Sequence, residues 1–152
     1  GDNAMERFRG FFDGGGYSIR NLSVERKAHD LSIFGVTEGA EIINLKVENC
    51  SIIGEGRLGV LTGATFSTKI DILDSQCENR LSDHGSNAGG LTGPLYRSVV
   101  KNCSVKGGNV YAKDCAGGIS SSMSKDSEII DCYSTCRIEG ITNVGGITGK
   151  VN

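Results

Sequence analysis

The residues of this chain with the greatest potential for chemistry are its six cysteines and two histidines. No two cysteines form a CxxC pair, and the closest spacing is Cys132 to Cys136. A structural zinc site needs four cysteine or histidine ligands at short spacings, and His29 and His84 add too little to complete one. The sequence therefore predicts buried free thiols and no metal or cofactor, with one or more disulfides as the alternative.

The densest polar segment runs from Lys69 to His84 and includes Asp71 and Asp74. In a polysaccharide lyase or hydrolase, carboxylates act as acid, base or metal ligand beside the sugar. Such a site requires these groups to converge on one groove, and this sequence shows no converging acid, base and electrophile. We expect solvated outward positions here and assign no catalytic residue. A polysaccharide-active enzyme is the alternative.

Hydroxyl side chains recur at equivalent positions, at Thr62, Thr92, Ser120 and Thr148. Placed on one face, they form an outward column of hydroxyls of the kind that binds ice or glycans. Stacked β-branched residues are also ordinary sheet residues, and this is the interpretation that we favour. In both interpretations the hydroxyls are expected on the outer surface.

These residues are positioned by an internal repeat. A phrase of the form apolar-x-Asn-Leu-x-Val recurs, and its copies begin at Ile19, Ile42, Ile70, Val100 and Ile129. A glycine-rich phrase follows each copy, most clearly at residues 89–93 and 145–149. The last positions of this second phrase follow one another at a nearly constant interval, and they are Gly35, Gly63, Gly93, Ser121 and Gly149.

The interval of about 28 residues indicates a solenoid, because a propeller blade needs about 40 residues for four strands. Each unit holds short, β-branched segments, and none has the apolar spacing of a helix. Crossovers between parallel strands are strongly right-handed. The sequence therefore predicts an all-β, right-handed parallel β-helix, or β-solenoid, of about five coils with a repeat of about 28 residues. Residues 1–152 are predicted to form this single domain.

Two columns are expected from stacking of the repeated phrase. The first is an inward apolar ladder, formed by Leu22, Leu45, Leu73, Cys103 and Cys132. The second is a corner at the preceding position, where asparagine tolerates a left-handed backbone and the amides hydrogen-bond along the axis. The corner is expected at Asn21, Asn44, Asn102 and Asp131, and Ile72 departs from the pattern.

Two motifs carry a resemblance to a known family. The segment 8–14 (FRGFFDG) and the segment 90–93 (GLTG) resemble repeats of GLUG-motif proteins, and the resemblance covers residues from about Phe8 to Val151. GLUG repeats occur in bacterial surface and secreted proteins, including adhesin-like proteins. The resemblance implies an extended stalk or binding surface, and no catalytic residue belongs to the motif.

Charge and hydropathy exclude two classes of partner. With a net charge of −2 the chain has no basic stripe for nucleic acid. Its apolar runs are far shorter than the roughly 20 residues that cross a bilayer, so we expect no membrane insertion by this segment. The sequence starts without a signal peptide, and we expect that an exported parent has lost it.

The function predicted from these features is that of a non-catalytic structural or adhesive module of a bacterial cell-surface or secreted protein. Its expected location is extracellular. Its expected partners are a host glycan, a matrix protein or other domains of the same parent chain. Too few residues precede Phe8 or follow Gly149 to cap a solenoid, so the chain is expected to be a fragment of a longer array, with a final coil that is frayed or covered.

Overall fold

The computed structural model describes residues 6–76, 80–83 and 86–152, without the side chains of residues 76 and 80–83. All regular secondary structure in these residues is β-strand, and none of it is a helix that could span a membrane. The first two coils contain β1 (Arg7–Phe8), β2 (Phe11–Asp13), β3 (Ser18–Arg20), β4 (Ser23–Glu25), β5 (Val36–Glu38), β6 (Glu41–Glu48), β7 (Ser51–Gly54) and β8 (Arg57–Leu58).

The same order of strands recurs in the remaining coils. The third and fourth coils contain β9 (Ala64–Phe66), β10 (Lys69–Gln76), β11 (Arg80–Asp83), β12 (Asn87–Gly89), β13 (Leu95–Tyr96), β14 (Val99–Lys106), β15 (Asn109–Ala112) and β16 (Cys115–Gly117). The fifth contains β17 (Ser120–Met123), β18 (Glu128–Ile130), β19 (Tyr133–Ser134), β20 (Arg137–Gly140) and β21 (Asn143–Gly145), and β22 (Thr148–Val151) begins another turn.

Equivalent strands of successive coils pair in parallel and build four sheets along the axis. The first sheet contains β1, β5, β9, β13, β17 and β22; the second β2, β3, β6, β10, β14, β18 and β19; the third β4, β7, β11, β15 and β20; the fourth β8, β12, β16 and β21. Partners lie one sequence repeat apart, as in the pairs Leu95 with Met123 and Thr65 with Leu95. The prediction of an all-β parallel solenoid of about five coils is confirmed.

Stacked columns of apolar side chains fill the interior. The predicted ladder is present at Leu45, Leu73 and Cys103, which pair in register and are at most 3% exposed. Cys132 continues it and is half-buried. Burying a side chain of this size contributes roughly 1.5–3 kcal/mol, so each column is a substantial source of stability.

The corner column adopts the predicted left-handed backbone. The φ angles of Asn44, Asn102 and Asp131 are 53°, 51° and 51°. Ile72 has φ of 54° at the same position, although a β-branched residue rarely occupies this region. Neighbouring coils therefore impose the corner on Ile72 despite its side chain.

The amides of this corner do not stack on each other, so that part of the expectation is wrong. Asn44 Nδ2 donates to Asp13 Oδ1 at 3.1 Å, and Asn102 Nδ2 donates to Asp71 Oδ1 at 2.9 Å. In each case the corner residue of the preceding coil, Gly14 or Ile72, has no amide to accept the bond. The amide therefore reaches the carboxylate one residue earlier.

The first coil is shifted relative to the prediction. Ile19 pairs with Val47, and Asn49 Nδ2 donates to Asn21 Oδ1 at 2.6 Å, so Asn21 stacks on Asn49 and not on Asn44. Leu22 consequently lies beside Cys50 instead of in the Leu45 ladder. The cause is a longer loop between β2 and β3, where Gly15 and Gly16 have φ of 60° and 76°.

The prediction that the hydroxyl column lies on the outer surface is also wrong, because the hydroxyls point inward. Thr62, Thr92 and Ser120 are fully buried and Thr148 is half-buried. The chain turns between the fourth and first sheets at this point, so consecutive residues such as Leu91 and Thr92 both enter the interior. Ser120 Oγ donates to the carbonyl oxygens of Gly93 and Ser122, and the Thr62 hydroxyl bonds to that of Thr65, whereas Thr92 Oγ1 is buried without a partner among the described residues.

The glycine-rich phrase lies where neighbouring coils approach most closely. A Cβ atom built on Gly93 would overlap the carbonyl oxygen of Gly63 in the preceding coil. Ser121 occupies the equivalent position one coil later and is fully buried, so the coil path continues there without a glycine. A Cβ atom on Gly63 or Gly149 would also lie within 3 Å of backbone atoms, so the close approach recurs along the column and Ser121 is the exception.

Replacement of Ile72 by asparagine is expected to stabilise the fold. The left-handed backbone costs a β-branched residue about 1–2 kcal/mol, and asparagine relieves much of this cost. Since Ile72 is 56% exposed, little apolar burial is lost. Urea unfolding should give an Ile72→Asn midpoint above that of the parent, and the reverse change Asn44→Ile should lower it. A lower midpoint for Ile72→Asn would contradict this account of the corner.

Replacement of Gly93 by alanine is expected to destabilise the fold by about 3 kcal/mol, because the new methyl group overlaps backbone of the neighbouring coil. Gly146→Ala is the matched control, since a Cβ there meets no atom within 4 Å. Thermal unfolding of the two variants measures the difference. Equal melting temperatures would show that the coils can separate at Gly93 without cost.

Candidate functional site

The left-handed corner of the second sheet creates an open groove along the solenoid axis. The corner residue, such as Asn44, and the residue two positions later, such as Lys46, project outward while Leu45 between them points inward. Because the same bend recurs in successive coils, the outward residues form two rows with a spacing of about 4.8 Å. We call the space between these rows the corner groove. Its volume is about 770 Å³, within the usual range for ligand sites.

Each wall of the corner groove combines residues from different coils. One wall follows the corner at Asn44, Asn102 and Asp131, and Asp13 extends it in the first coil from one residue before the corner position. The other wall is one register column, formed by Lys46, Asp74, Ser104 and Tyr133. The loop around Gly15 and Gly16 closes the end of the groove at the first coil, and Tyr133 stands at the other end.

The two carboxylates singled out from the sequence are not brought together as a catalytic pair. Asp74 lines the corner groove and accepts hydrogen bonds from Ser104 Oγ at 2.6 Å and from Lys106 Nζ at 3.2 Å. Asp71 lies outside the lining and accepts its hydrogen bond from Asn102. Of the segment that follows, His84 lies outside the described residues, and the side chains of Arg80 to Asp83 do too.

Lys106, Asp74 and Tyr133 form a linked polar group at one side of the groove. Hydrogen bonds to the Tyr133 hydroxyl and to the Asp74 carboxylate raise the pKa of Lys106, and the ammonium lies 5.8 Å from the centre of the Tyr133 ring. These contacts hold the Tyr133 side chain while leaving it 49% exposed. Tyr133 thus presents a positioned aromatic surface to solvent.

Several groove atoms have no hydrogen-bond partner in the part of the chain that the structure describes. These atoms are the side-chain carbonyl oxygens of Asn44 and Asn102, the Asp131 carboxylate and the Lys46 ammonium. The sequence analysis did not assign Lys46, Asp131 or Tyr133 to a site. Their repeat spacing places them in columns, but only the bend of the corner reveals that both columns face one groove.

Five of the six cysteines lie in the described residues, and all five are free thiols. Cys50, Cys103 and Cys115 are buried, and Cys132 and Cys136 are half-buried. Cys77 lies outside the described residues. Across residues 6–76, 80–83 and 86–152, no three histidine, cysteine or carboxylate side chains are grouped so as to hold a metal ion.

A second cavity of about 340 Å³ lies beside the connection that ends the first coil. Asp30 lines it with φ of 56° and is only 9% exposed. Its Oδ2 accepts a hydrogen bond from Arg57 Nη2 at 2.6 Å. Its Oδ1 is buried without a partner among the described residues, so the Arg57 ion pair is the main compensation for burying this carboxylate.

Comparison with known proteins identifies a sequence relative but no fold relative. Neither the family comparison nor the comparison with solved structures finds a match. The chain is similar to halomucin of Haloquadratum walsbyi (strain DSM 16790 / HBSQ001), with 30% identity over 100 residues. The aligned part covers 62% of this chain and 1% of halomucin. The resemblance to GLUG repeats stays a prediction.

Replacement of Arg57 is expected to destabilise the first coil, because it removes the ion pair with the buried Asp30. Arg57→Leu leaves the buried Asp30 carboxylate without its charged donor and should cost about 2–3 kcal/mol in the free energy of unfolding. The double change with Asp30→Asn should recover part of the loss. The control is Arg20→Leu, whose pair with Glu48 is exposed and should have little effect. Urea unfolding tests this, and equal losses for Arg57→Leu and Arg20→Leu would contradict it.

Proposed function

We propose that this chain is a non-catalytic adhesive repeat module of an extracellular protein, and that its corner groove binds glycans. The observation that carries the proposal is the groove itself, in which hydrogen-bonding atoms unused by the fold stand beside an exposed tyrosine ring. A second part of the role is structural, since stacked coils form a rod on which the groove is displayed.

The polar atoms of the groove match the hydroxyl groups of a sugar chain. The Asn44 and Asn102 carbonyl oxygens and the Asp131 carboxylate accept hydrogen bonds, and the Lys46 ammonium donates them. All four are held on a left-handed corner or on a strand paired with its neighbours. The Asn44 and Asn102 side chains are also held by the hydrogen bonds of their Nδ2 atoms, which limits the conformational entropy that is lost when a ligand binds.

The apolar contribution comes from Tyr133 and from Ile72, which are 49% and 56% exposed. Aromatic side chains combine an apolar face with a polar tip, which suits the mixed surface of a sugar ring. The groove is open along its length, so it favours an extended chain over a small enclosed ligand. Three aspartates and one lysine line it, so the groove disfavours an anionic ligand.

An extracellular setting is supported by the similarity to halomucin, whose name classes it with the mucins. The aligned part spans about 1% of that protein, so the similarity concerns a short segment of halomucin and not its whole activity. A bacterial cell surface or secreted parent is the finer proposal, and it depends on the resemblance of residues 8–14 and 90–93 to GLUG repeats.

A polysaccharide-active enzyme is the second candidate, favoured by the position of Asp74 in the groove wall. Its carboxylate is engaged by Ser104 and Lys106, while Asp71 is turned to Asn102 outside the lining. General acid or base catalysis requires a carboxyl group within reach of the sugar oxygen that gains or loses the proton. Binding without turnover therefore fits the arrangement better.

Binding to a glycan array is the direct test, using the parent chain and two tyrosine variants. Tyr133→Ala should weaken binding about tenfold, because one stacked aromatic contact is lost. Tyr111→Ala is the matched control, since Tyr111 is half-exposed on the third sheet, outside the groove. Absence of glycan binding by the parent, or equal losses in both variants, would contradict the proposal.

Turnover of the bound glycan separates the two candidates. Binding without release of shorter or unsaturated products is the expected result, assayed by chromatography after prolonged incubation. Products that disappear in Asp74→Asn would replace the adhesive proposal by the enzymatic one.

A further inference from the structure

Cys103 and Cys132 occupy the same inward column in consecutive coils. Lys101 pairs with Ile130 and Ser104 with Tyr133, so the register places the two cysteines side by side. The Cys103 amide donates to Cys132 Sγ at 3.4 Å. Neighbouring parallel strands are about 4.8 Å apart, inside the roughly 4.4–6.8 Å range of Cα separations found in disulfides.

Among the described residues, no other cysteine has a cysteine beside it. Cys50 lies next to Leu22, and Cys115 pairs with Asn87 and Asn143. Cys136 directly precedes Arg137, whose partner is Asn109, so it lies beside Gly108. The juxtaposition of Cys103 and Cys132 is therefore specific to the fourth and fifth coils in the part of the chain that the structure describes.

The two thiols differ in access and in acidity. Cys103 is 1% exposed, whereas Cys132 is half-buried. The hydrogen bond from the Cys103 thiol lowers the pKa of Cys132 to about 7, and the same bond together with burial raises the pKa of Cys103. Cys132 is consequently the accessible thiolate near neutral pH, and Cys103 is the protected partner.

We propose that Cys103 and Cys132 form an oxidation site at which a low-molecular-weight disulfide converts the two thiols into one disulfide between the fourth and fifth coils. The Cys132 thiolate attacks one sulfur of the small disulfide, forms a mixed disulfide and releases a thiolate. Cys103 gives its proton to solvent, attacks Cys132 Sγ and displaces the second small thiol. The protein loses two electrons and two protons, and the small disulfide is reduced to two thiols.

The consequence of this reaction is a covalent link across a seam that otherwise depends on hydrogen bonds and on side-chain packing. A link between residues 103 and 132 closes a loop of about one coil and restricts the unfolded chain. It raises the cost of opening the fifth coil while leaving the first three unaffected. The site does not depend on the ligand of the corner groove, so either proposal can fail without the other.

The test begins with the fully reduced chain, equilibrated with oxidised and reduced glutathione at neutral pH. The products are trapped by acid and alkylation, digested without reductant and mapped by mass spectrometry. The expected product has lost two hydrogens and contains one bridge, between Cys103 and Cys132. Any other bridge as the main product, including one with Cys77, overturns the proposal, as does a mixed disulfide at Cys132 that never resolves.

Variants and a pH profile give independent readouts. Cys132→Ser should abolish the bridge, whereas the matched controls Cys115→Ser and Cys136→Ser should retain it. In the parent chain, which needs no substitution to fold, alkylation of Cys132 should be half-maximal near pH 7 instead of the roughly 8.5 of an ordinary thiol. A profile with an ordinary midpoint overturns the assignment of Cys132 as the nucleophile.

Hydrogen exchange reports the effect on stability. In the bridged form, amides of residues 128–140 should exchange about tenfold more slowly than in the reduced form, and those of the second coil should not change. Equal exchange in both forms would show that the bridge does not fasten the fifth coil.

Discussion

The register between successive coils is the constraint on which the rest of this structure depends. Each strand of an inner coil pairs in parallel with its equivalents one repeat before and one repeat after it, and the buried apolar side chains stack along the same direction. Because the register is shared, each residue lies directly beside its counterpart in the next coil. Buried ladders, the left-handed corner and the walls of the groove are all results of this one rule. Even Ile72 adopts a backbone that its side chain disfavours, since both neighbouring coils adopt it.

The fold could be predicted because the repeat period is visible in the sequence. The assignment of Asn21 to a column was wrong because it followed the Asn-Leu residue pattern and not the repeat period. Asn44, Ile72, Asn102 and Asp131 succeed one another at one full repeat and form one corner. The residue pattern adds Asn21 to them because it precedes a leucine, yet Asn21 lies less than one repeat before Asn44. It lies a full repeat before Asn49, so spacing alone assigns it to the Asn49 corner, where the structure places it.

The prediction that the hydroxyl column faces outward was wrong for a different reason. Alternation of inward and outward side chains holds along a strand, but it does not hold where the chain turns between sheets. Leu91 and Thr92 are both fully buried at such a turn. The groove could not be predicted from the sequence either. Its two walls are separate columns, and they face each other only because the backbone bends at the corner. The Asp30 cavity lies in a connection that is not repeated, so the period gave no information about it.

The direction of the hydrogen bonds has a mechanical consequence. Bonds between coils run along the long axis of the rod, so a force that pulls its two ends apart loads one seam at a time. A coil that separates contributes about 4.8 Å to the folded rod but about 90 Å when its chain is drawn out straight. Under tension the rod would lengthen in steps, one released coil after another, and rewind as the load falls. A stack of this kind is a rigid spacer without load and an extensible one under tension.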